Sequence, residues 1–125
     1  MEALVINLKS STDRRTFQAS QLSKLGIPHS FIHACSVIDF SEKEYESLAN
    51  NWERKLRKAE VACFLSHKKA WETVITRNKP LLILEDDALL SKHSKALLNT
   101  LSSKKALDHV IKMGRVESLK IRNFI

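Results

Sequence analysis

Hydrophobic and polar positions follow two different periods in the first part of the chain. Residues 3–8 form a short apolar run, which predicts a buried strand, and residues 10–13 after it are types that cap helices. A helix is predicted over residues 13–25, because Gly26 and Pro28 follow it in the order typical of a helix end. Its apolar face is thin and consists of Phe17, Leu22 and Leu25.

A second strand is predicted over residues 30–34, so strand, helix and strand follow one another at the start of the chain. This order is that of a βαβ unit, and it implies two parallel strands. Ser41 and Glu44 then match a capping box, which predicts a short helix ending near Ala49.

The best predicted helix covers residues 59–77. Its apolar positions recur every three or four residues, so they form one stripe that we expect to pack against the protein. The residues of this stripe are Cys63, His67, Ala70, Trp71 and Val74. A continuous apolar run over residues 81–84 is typical of a central strand covered on both faces.

A further helix over residues 91–101 and a further strand over residues 107–113 complete the predicted elements. The fold class is therefore α/β, with an open, mainly parallel sheet and helices on both faces. We expect one domain over residues 1–125, because the chain has 43% hydrophobic residues, enough for a core but not for two domains. The C-terminal end of this architecture looks unfinished.

The cysteine and glycine content excludes several classes of protein. Cys35 and Cys63 form no CxxC pair, so we expect neither a zinc ribbon nor a disulfide scaffold, and a cytoplasmic setting follows. With only two glycines, the chain has no glycine-rich phosphate loop.

Positive charge is concentrated in the second part of the chain. The net charge is +7, and residues 51–125 contain 16 basic and 8 acidic residues. The basic patch at residues 54–58 is of a kind that attracts nucleic acid or anionic lipid headgroups. Only Trp52 flanks it closely, so base stacking is not expected and we favour a solvated face. The alternative function is a non-catalytic basic domain that binds nucleic acid or an anionic membrane surface.

The sharpest chemical signal is the run Glu85, Asp86 and Asp87 at the end of the predicted strand. Adjacent carboxylates repel one another unless a cation or basic groups compensate. Mg²⁺ and Mn²⁺ choose carboxylate oxygens, and open α/β sheets bind ligands beyond the carboxyl ends of their strands. The run therefore predicts a divalent metal that bridges to a nucleotide diphosphate, and the alternative is a solvated acidic turn.

Asn7, Arg14 and Arg15 lie at the end of the first strand and in the first helix. The two arginines are candidates for phosphate binding, and the alternative is ordinary solvated charge.

Ser66 and His67 are neighbours on a helix and point about 100° apart, which argues against a nucleophile–base pair. His67 alone is more typical of a packed core residue. With Cys63 it has the spacing of a metal or thiolate pair, but no further Cys or His lies at ligand spacing.

Four segments in this order resemble glycosyltransferase family 25, the family of lipooligosaccharide and collagen galactosyltransferases. They are VINLKSSTDRR (residues 5–15), LGIPHSFIHA (25–34), AEVACFLSHKKAW (59–71) and LLILEDDALL (81–90). The resemblance covers roughly residues 3–113.

The resemblance implies a GT-A-type fold, a UDP-sugar donor (usually UDP-galactose), Mn²⁺ or Mg²⁺, and inversion at the anomeric carbon. The acceptor it implies is a lipooligosaccharide or another glycan, which allows peripheral contact with an anionic membrane surface; no nucleic acid is expected. Glu85 and Asp87 correspond to metal ligands, with Asp87 as the first choice. The implied donor-binding residues are Asn7, Arg14, Arg15, Ser66, His67 and Asp86.

Members of this family usually continue well beyond residue 125, into the part that supplies the general base and the acceptor contacts. We find no candidate for that base, so we expect a truncated chain that binds donor weakly and transfers sugar undetectably. We also expect self-association through apolar residues of the tail, which are Val110, Ile111, Val116, Leu119, Ile121, Phe124 and Ile125.

Overall fold

Strands and helices alternate along the chain in the predicted order. A computed structural model describes residues 1–103, 110–112 and 122–124. The elements are β1 (Glu2–Asn7), α1 (Thr12–Lys24), β2 (His29–His33), α2 (Glu42–Ala49), α3 (Lys58–Arg77), β3 (Leu81–Glu85), α4 (Ser94–Ser103), β4 (Val110–Lys112) and β5 (Arg122–Phe124). Every predicted strand and helix up to α4 is present, with its ends within three residues of the prediction.

The main sheet has three parallel strands in the order β2-β1-β3. Val5 of β1 lies opposite Phe31 on one side and opposite Leu84 on the other. The parallel βαβ unit and the open α/β sheet are thus confirmed.

Within the described sheet β3 lies at an edge, which differs from the central position predicted for it. A continuous apolar run reports that both faces of a strand are covered, and it carries no information on how many strands flank it. The faces of β3 are indeed both in contact with the core, Leu82 on one side and Ile83 on the other.

Helices cover both faces of the sheet, as predicted. On one face Val5 and Leu84 pack with Leu22 of α1 and Leu98 of α4. On the other face Leu4 and Ile6 pack with Ala70 of α3. The alternation of side chains along β1 thus sends neighbouring residues into two separate cores.

Gly26 ends α1 as the sequence predicts. Its φ of 64° is in the left-handed region, where a residue without Cβ is favoured. The amide of Ile27 donates to Leu22 O (2.9 Å) and that of Gly26 to Ser23 O (3.0 Å), which is the Schellman pattern. At the start of α2, the predicted capping box of Ser41 and Glu44 is present with both of its hydrogen bonds.

Two helices bury only part of the apolar faces predicted for them, although Leu22 and Leu25 of α1 and Ala70 of α3 do pack in the core. In α1, Phe17 is 46% exposed and the neighbouring Gln18 is fully buried. In α3, the predicted stripe is only partly inside, because Cys63 is exposed and Trp71 is 44% exposed. The buried residues of α3 are instead Val61, Ala62, Ser66 and Ala70, most of which are small. Small residues allow the helix axis to approach the sheet closely, so the larger side chains move to the flank.

The basic patch at residues 54–58 is paired with acidic residues of the same chain. Arg54 contacts Glu60 and Lys55 contacts Glu46, each at 2.6 Å, and Lys58 pairs with Glu42. These side chains form a salt-bridged surface, as expected for a solvated face. Among the described residues, no helix combines the length and apolar character needed to cross a membrane.

β4 and β5 pair with each other in antiparallel register and form a separate two-stranded sheet. The strand predicted over residues 107–113 is present in part, as β4. Val116, Leu119, Ile121 and Ile125, on which the expected self-association depends, lie outside the described residues.

Glu2 joins the start of the sheet to the end of α3. Its carboxylate accepts hydrogen bonds from Lys79 (2.7 Å), Ser30 (2.9 Å) and Arg77 (2.6 Å). These donors, Lys79 first, lower the pKa of Glu2 from 4.5 to about 2. Because the folded protein binds this proton more weakly than the unfolded chain, Glu2 stabilises the fold above the ordinary pKa of glutamate.

We therefore expect Glu2→Gln to lower the free energy of unfolding by about 1 kcal/mol at neutral pH, a value reduced for solvent screening at the surface. The difference from wild type should shrink as the pH falls from about 5 and should vanish below about pH 2. Urea titrations across this range measure it, with exposed Glu53→Gln as the control. A difference that stays constant with pH would contradict the role of the Glu2 charge.

Candidate functional site

The carboxyl ends of β1 and β3 open into a cavity. The chain leaves β1 through α1, which covers one face of the sheet, and α3, on the other face, leads into β3. Strands with such opposite connections leave a crevice at the end of the sheet, where α/β proteins bind ligands. An open cavity of about 400 Å³ occupies this crevice. Its lining includes Arg14, Cys63, His67, Glu85, Asp86 and Asp87.

The three adjacent carboxylates at the end of β3 point in three directions. Glu85 faces α3, where His67 Nε2 lies 3.0 Å from its Oε1. Asp86 faces α1 and is 9% exposed. Asp87 is exposed and lines the cavity, and within the described part of the chain its carboxylate has no hydrogen bond or salt bridge. The alternation of side chains at the strand end thus separates charges that would otherwise repel.

Asp86 is held by Asn7 and Arg14. Asn7 Nδ2 donates to Asp86 Oδ2 (2.8 Å) and also to the carbonyl of Ser11 (3.1 Å), which ties the end of β1 to the start of α1. Arg14 Nη1 donates to Asp86 Oδ1 at 3.1 Å, although its side chain is 60% exposed. Ser11 is the N-cap of α1, but its side chain makes no capping hydrogen bond, so its carbonyl is the group that joins α1 to Asn7. The sequence placed Asn7, Arg14 and Asp86 at one site, and the structure brings them into contact.

Gln18 and Gln21 of α1 hold the backbone of the segment that follows β3. Gln18 Nε2 donates to Asp86 O (3.2 Å) and Ala88 O (2.7 Å). Gln21 donates to Ala88 O (3.0 Å), and its Oε1 accepts from the amide of Leu90 (2.8 Å). Our sequence analysis did not identify these residues. The available signal was the pair of glutamines three residues apart, next to Leu22 on the buried side of α1.

His67 and Cys63 lie one helical turn apart on α3, and both approach Glu85. Cys63 Sγ is 4.0 Å from Glu85 Oε1, and the donor atoms of the three residues all lie within 4.8 Å of one another. Burial raises the pKa of the Cys63 thiol, and the charge of Glu85 raises it further. His67 therefore lies at the cavity rather than in the core. Glu85 joins Cys63 and His67 as a third possible metal ligand.

Ser66 points away from this cluster. Its hydroxyl donates to Ala62 O (2.8 Å) and accepts from the amide of Cys35 (2.8 Å), just beyond the end of β2. The serine is buried and joins α3 to β2. Ser66 and His67 thus act on different neighbours, in agreement with the rejection of a nucleophile–base pair.

Arg15 is not among the residues that line the cavity. Its guanidinium lies 4.2 Å from the centre of the Phe31 ring, a cation–π contact on β2. Of the two arginines in the opening segment, Arg14 is the one that the structure places at the site.

Comparison with known proteins identifies relatives of this chain. The model of the family described as "Glycosyltransferase family 25 (LPS biosynthesis protein)" matches residues 1–123. The chain is 31% identical over 101 residues to the lacto-N-neotetraose biosynthesis glycosyltransferase LgtB of Neisseria gonorrhoeae, covering 78% of this chain and 36% of that protein.

It is also 32% identical over 100 residues to the lipooligosaccharide biosynthesis protein lic2B of Haemophilus influenzae, covering 75% of this chain and 36% of that protein. A glycosyltransferase 25 family member of Anopheles gambiae is 29% identical over 93 residues, covering 66% of this chain and 16% of that protein. The chain thus spans little more than a third of the length of the bacterial relatives.

Proposed function

Because the chain belongs to glycosyltransferase family 25, we propose that its cavity binds the nucleotide-sugar donor of a transferase that builds lipooligosaccharide. The donor in this proposal is a UDP-hexose, UDP-galactose first, and the acceptor is a lipooligosaccharide or another glycan. The names of the bacterial relatives, which refer to lipooligosaccharide and lacto-N-neotetraose biosynthesis, support this direction. The observation that carries the proposal is the exposed Asp87 in a cavity between the ends of β1 and β3, where its carboxylate has no partner among the described residues.

A divalent metal fits the chemistry of Asp87. Its carboxylate offers hard oxygen ligands, which Mg²⁺ and Mn²⁺ prefer, and it is exposed to the cavity. Glu85 is the adjacent carboxylate, but its Oε1 already contacts His67. We therefore propose Asp87 as the direct ligand and Glu85 as a neighbouring charge. When bound, such a metal neutralises negative charge on the diphosphate leaving group.

Asp86 has a different role in this proposal, because its carboxylate is occupied within the protein. It orients Arg14, of which one nitrogen bonds Asp86 while the side chain remains 60% exposed at the cavity. The other N–H donors of a guanidinium can then bind phosphate oxygens in a fork. Asn7 fixes Asp86, so it supports the donor site without needing to contact the donor itself.

The proposal also includes a GT-A-type architecture and inversion at the anomeric carbon. Inversion requires a general base within hydrogen-bond reach of the acceptor hydroxyl. We propose this chain as the donor side of that reaction and assign the base to none of the described residues. A lipid-linked acceptor would place the protein at an anionic membrane surface.

Titration with UDP, with and without Mn²⁺, tests the donor site. We expect Mn²⁺ to tighten UDP binding at least about tenfold, which corresponds to about 1.4 kcal/mol. Asp87→Asn should remove this metal dependence, because the variant lacks the charged oxygen ligand while keeping the shape of the side chain. Asp13→Asn changes an exposed carboxylate outside the cavity and should keep it. A folded protein that binds UDP equally well in both conditions, or not at all, would refute the proposal.

A further inference from the structure

Cys63, His67 and Glu85 form a cluster of possible metal ligands next to the proposed donor site, which uses Glu85 only as a neighbouring charge. Cys63 and His67 stack on one face of α3, four residues apart, and Glu85 reaches them from the end of β3. His67 Nε2 is 3.0 Å and Cys63 Sγ is 4.0 Å from the same oxygen, Glu85 Oε1. A thiol, an imidazole and a carboxylate from two elements therefore converge on one point at the cavity wall.

The separations suit a small tetrahedral ion. Zinc bonds of about 2.0–2.3 Å place neighbouring ligand atoms about 3.3–3.8 Å apart in a tetrahedron. The two measured separations, 3.0 and 4.0 Å, lie on either side of this range, and the third stays within 4.8 Å. Cys63 and Glu85 are exposed, so their side chains have room to rotate toward a shared ion.

The chemistry of the donors selects the kind of metal. Thiolate and imidazole ligands favour zinc and similar transition metals, whereas Mg²⁺ and Mn²⁺ prefer oxygen. One thiolate and one carboxylate supply two negative charges, which balance a divalent ion, and neutral His67 supplies a lone pair. The Cys63 thiol releases its proton to solvent when the metal–sulfur bond forms.

We propose that Cys63, His67 and Glu85 bind a thiophilic divalent transition metal, with zinc as the representative ion. Three protein ligands leave the fourth tetrahedral position open, as in catalytic rather than structural zinc sites. All three residues line the cavity, so this open position is accessible from it. The site is separate from Asp87 and does not depend on the proposed donor.

Cobalt is a spectroscopic probe for this site. We expect Co²⁺ added to the reduced, metal-free protein to produce a thiolate-to-cobalt charge-transfer band that saturates at one equivalent and is lost on addition of Zn²⁺. Cys63→Ser should abolish the band. His67→Ala should weaken cobalt binding on the order of 100-fold or more, since mutating even a residue that only hydrogen-bonds a metal ligand lowers metal affinity ~10–100-fold. Glu85→Gln should also weaken it.

Two controls make the result specific. Cys35→Ser removes the other cysteine of the cavity and should keep the band, and Asp87→Asn should keep it although it loses metal-dependent UDP binding. The absence of a band in folded wild-type protein, or a band that persists in Cys63→Ser, would overturn the proposal. Neither result depends on UDP, so the two proposals fail separately.

Alkylation of wild-type protein gives a second measurement that requires no variant. Zn²⁺ should slow the reaction of iodoacetamide with Cys63 at least about tenfold and leave the reaction of Cys35 unchanged, as followed by peptide mass spectrometry. Equal rates at Cys63 with and without Zn²⁺ would overturn the site.

Discussion

We expect Asp86→Ala to lower the free energy of unfolding by about 3 kcal/mol, and the same change at Asp87 to lower it by less than about 0.5 kcal/mol. Asp86 is 9% exposed and accepts hydrogen bonds from Asn7 and Arg14. Its removal leaves the Asn7 amide, which is 2% exposed, without an acceptor for one of its protons. Arg14 adds little to the loss, because its exposed guanidinium regains water.

Urea denaturation followed by circular dichroism measures this difference. Asp87→Ala is the matched control, because it removes the same kind of side chain from the next residue, which is exposed. In UDP titrations, Asp87→Ala should lose the effect of Mn²⁺ on binding although the protein is fully folded. Equal destabilisation by the two changes would show that the neighbouring carboxylates do not have the separate roles that the structure assigns.

The second large effect is expected in α1, where Gln18→Ala costs about 2 kcal/mol and Phe17→Ala less than about 1 kcal/mol. Gln18 is fully buried and donates to the carbonyls of Asp86 and Ala88. Without it, both carbonyls lose a donor and a cavity remains inside the protein. Phe17 is 46% exposed, so its truncation removes only about half of the buried surface that a core phenylalanine would lose.

Chemical denaturation of the two variants decides between two orientations of α1. If Phe17 lay in the core, as its place in the apolar pattern predicts, the order of the two effects would be reversed, because truncating a buried phenylalanine costs about 3–5 kcal/mol. Lys24→Ala, at an exposed position near the end of the same helix, provides a control for changes in helix propensity.

The functional part of the site depends on how the 86–90 segment is held. Asp86 is anchored through its side chain, and the backbone from Asp86 to Leu90 is held by two glutamines of α1. Asp87 lies within this segment, yet in the described structure its carboxylate has no partner. The arrangement therefore holds the backbone of Asp87 in place and leaves its carboxylate available at the cavity, as its proposed role of metal ligand requires.

Much of this site could be predicted from the sequence. The carboxyl ends of parallel strands meet at one edge of a sheet, so a βαβ opening followed by an apolar run and three acids already brings Asn7 close to Glu85–Asp87. The family resemblance carried by the same segments is confirmed by the match over residues 1–123. Local signals such as Gly26 and the Ser41–Glu44 box act within a few residues, and both were correctly identified.

The sequence pattern did not predict which faces of α1 and α3 pack inward, because this depends on tertiary contacts. A periodic pattern tells which residues share a face, but the choice among competing faces depends on the shape of the surface that packs against them. The small residues of α3 allow close contact with the sheet, so Cys63 and Trp71 move outward and His67 reaches Glu85. In α1, Gln18 is buried because its side chain donates to backbone carbonyls of the segment after β3, whereas Phe17 stays 46% exposed.

The elements, the parallel direction of the strands and the sheet edge at which the charges gather could be predicted from sequence, because these follow from local periods and chain connectivity. The direction of each carboxylate depends on long-range packing, which turns Glu85 to a cysteine and a histidine, Asp86 to an asparagine and an arginine, and Asp87 to the cavity. These contacts join residues up to 79 positions apart, as between Asn7 and Asp86. Their energies depend on which helix covers which face of β3, and no local pattern contains that information.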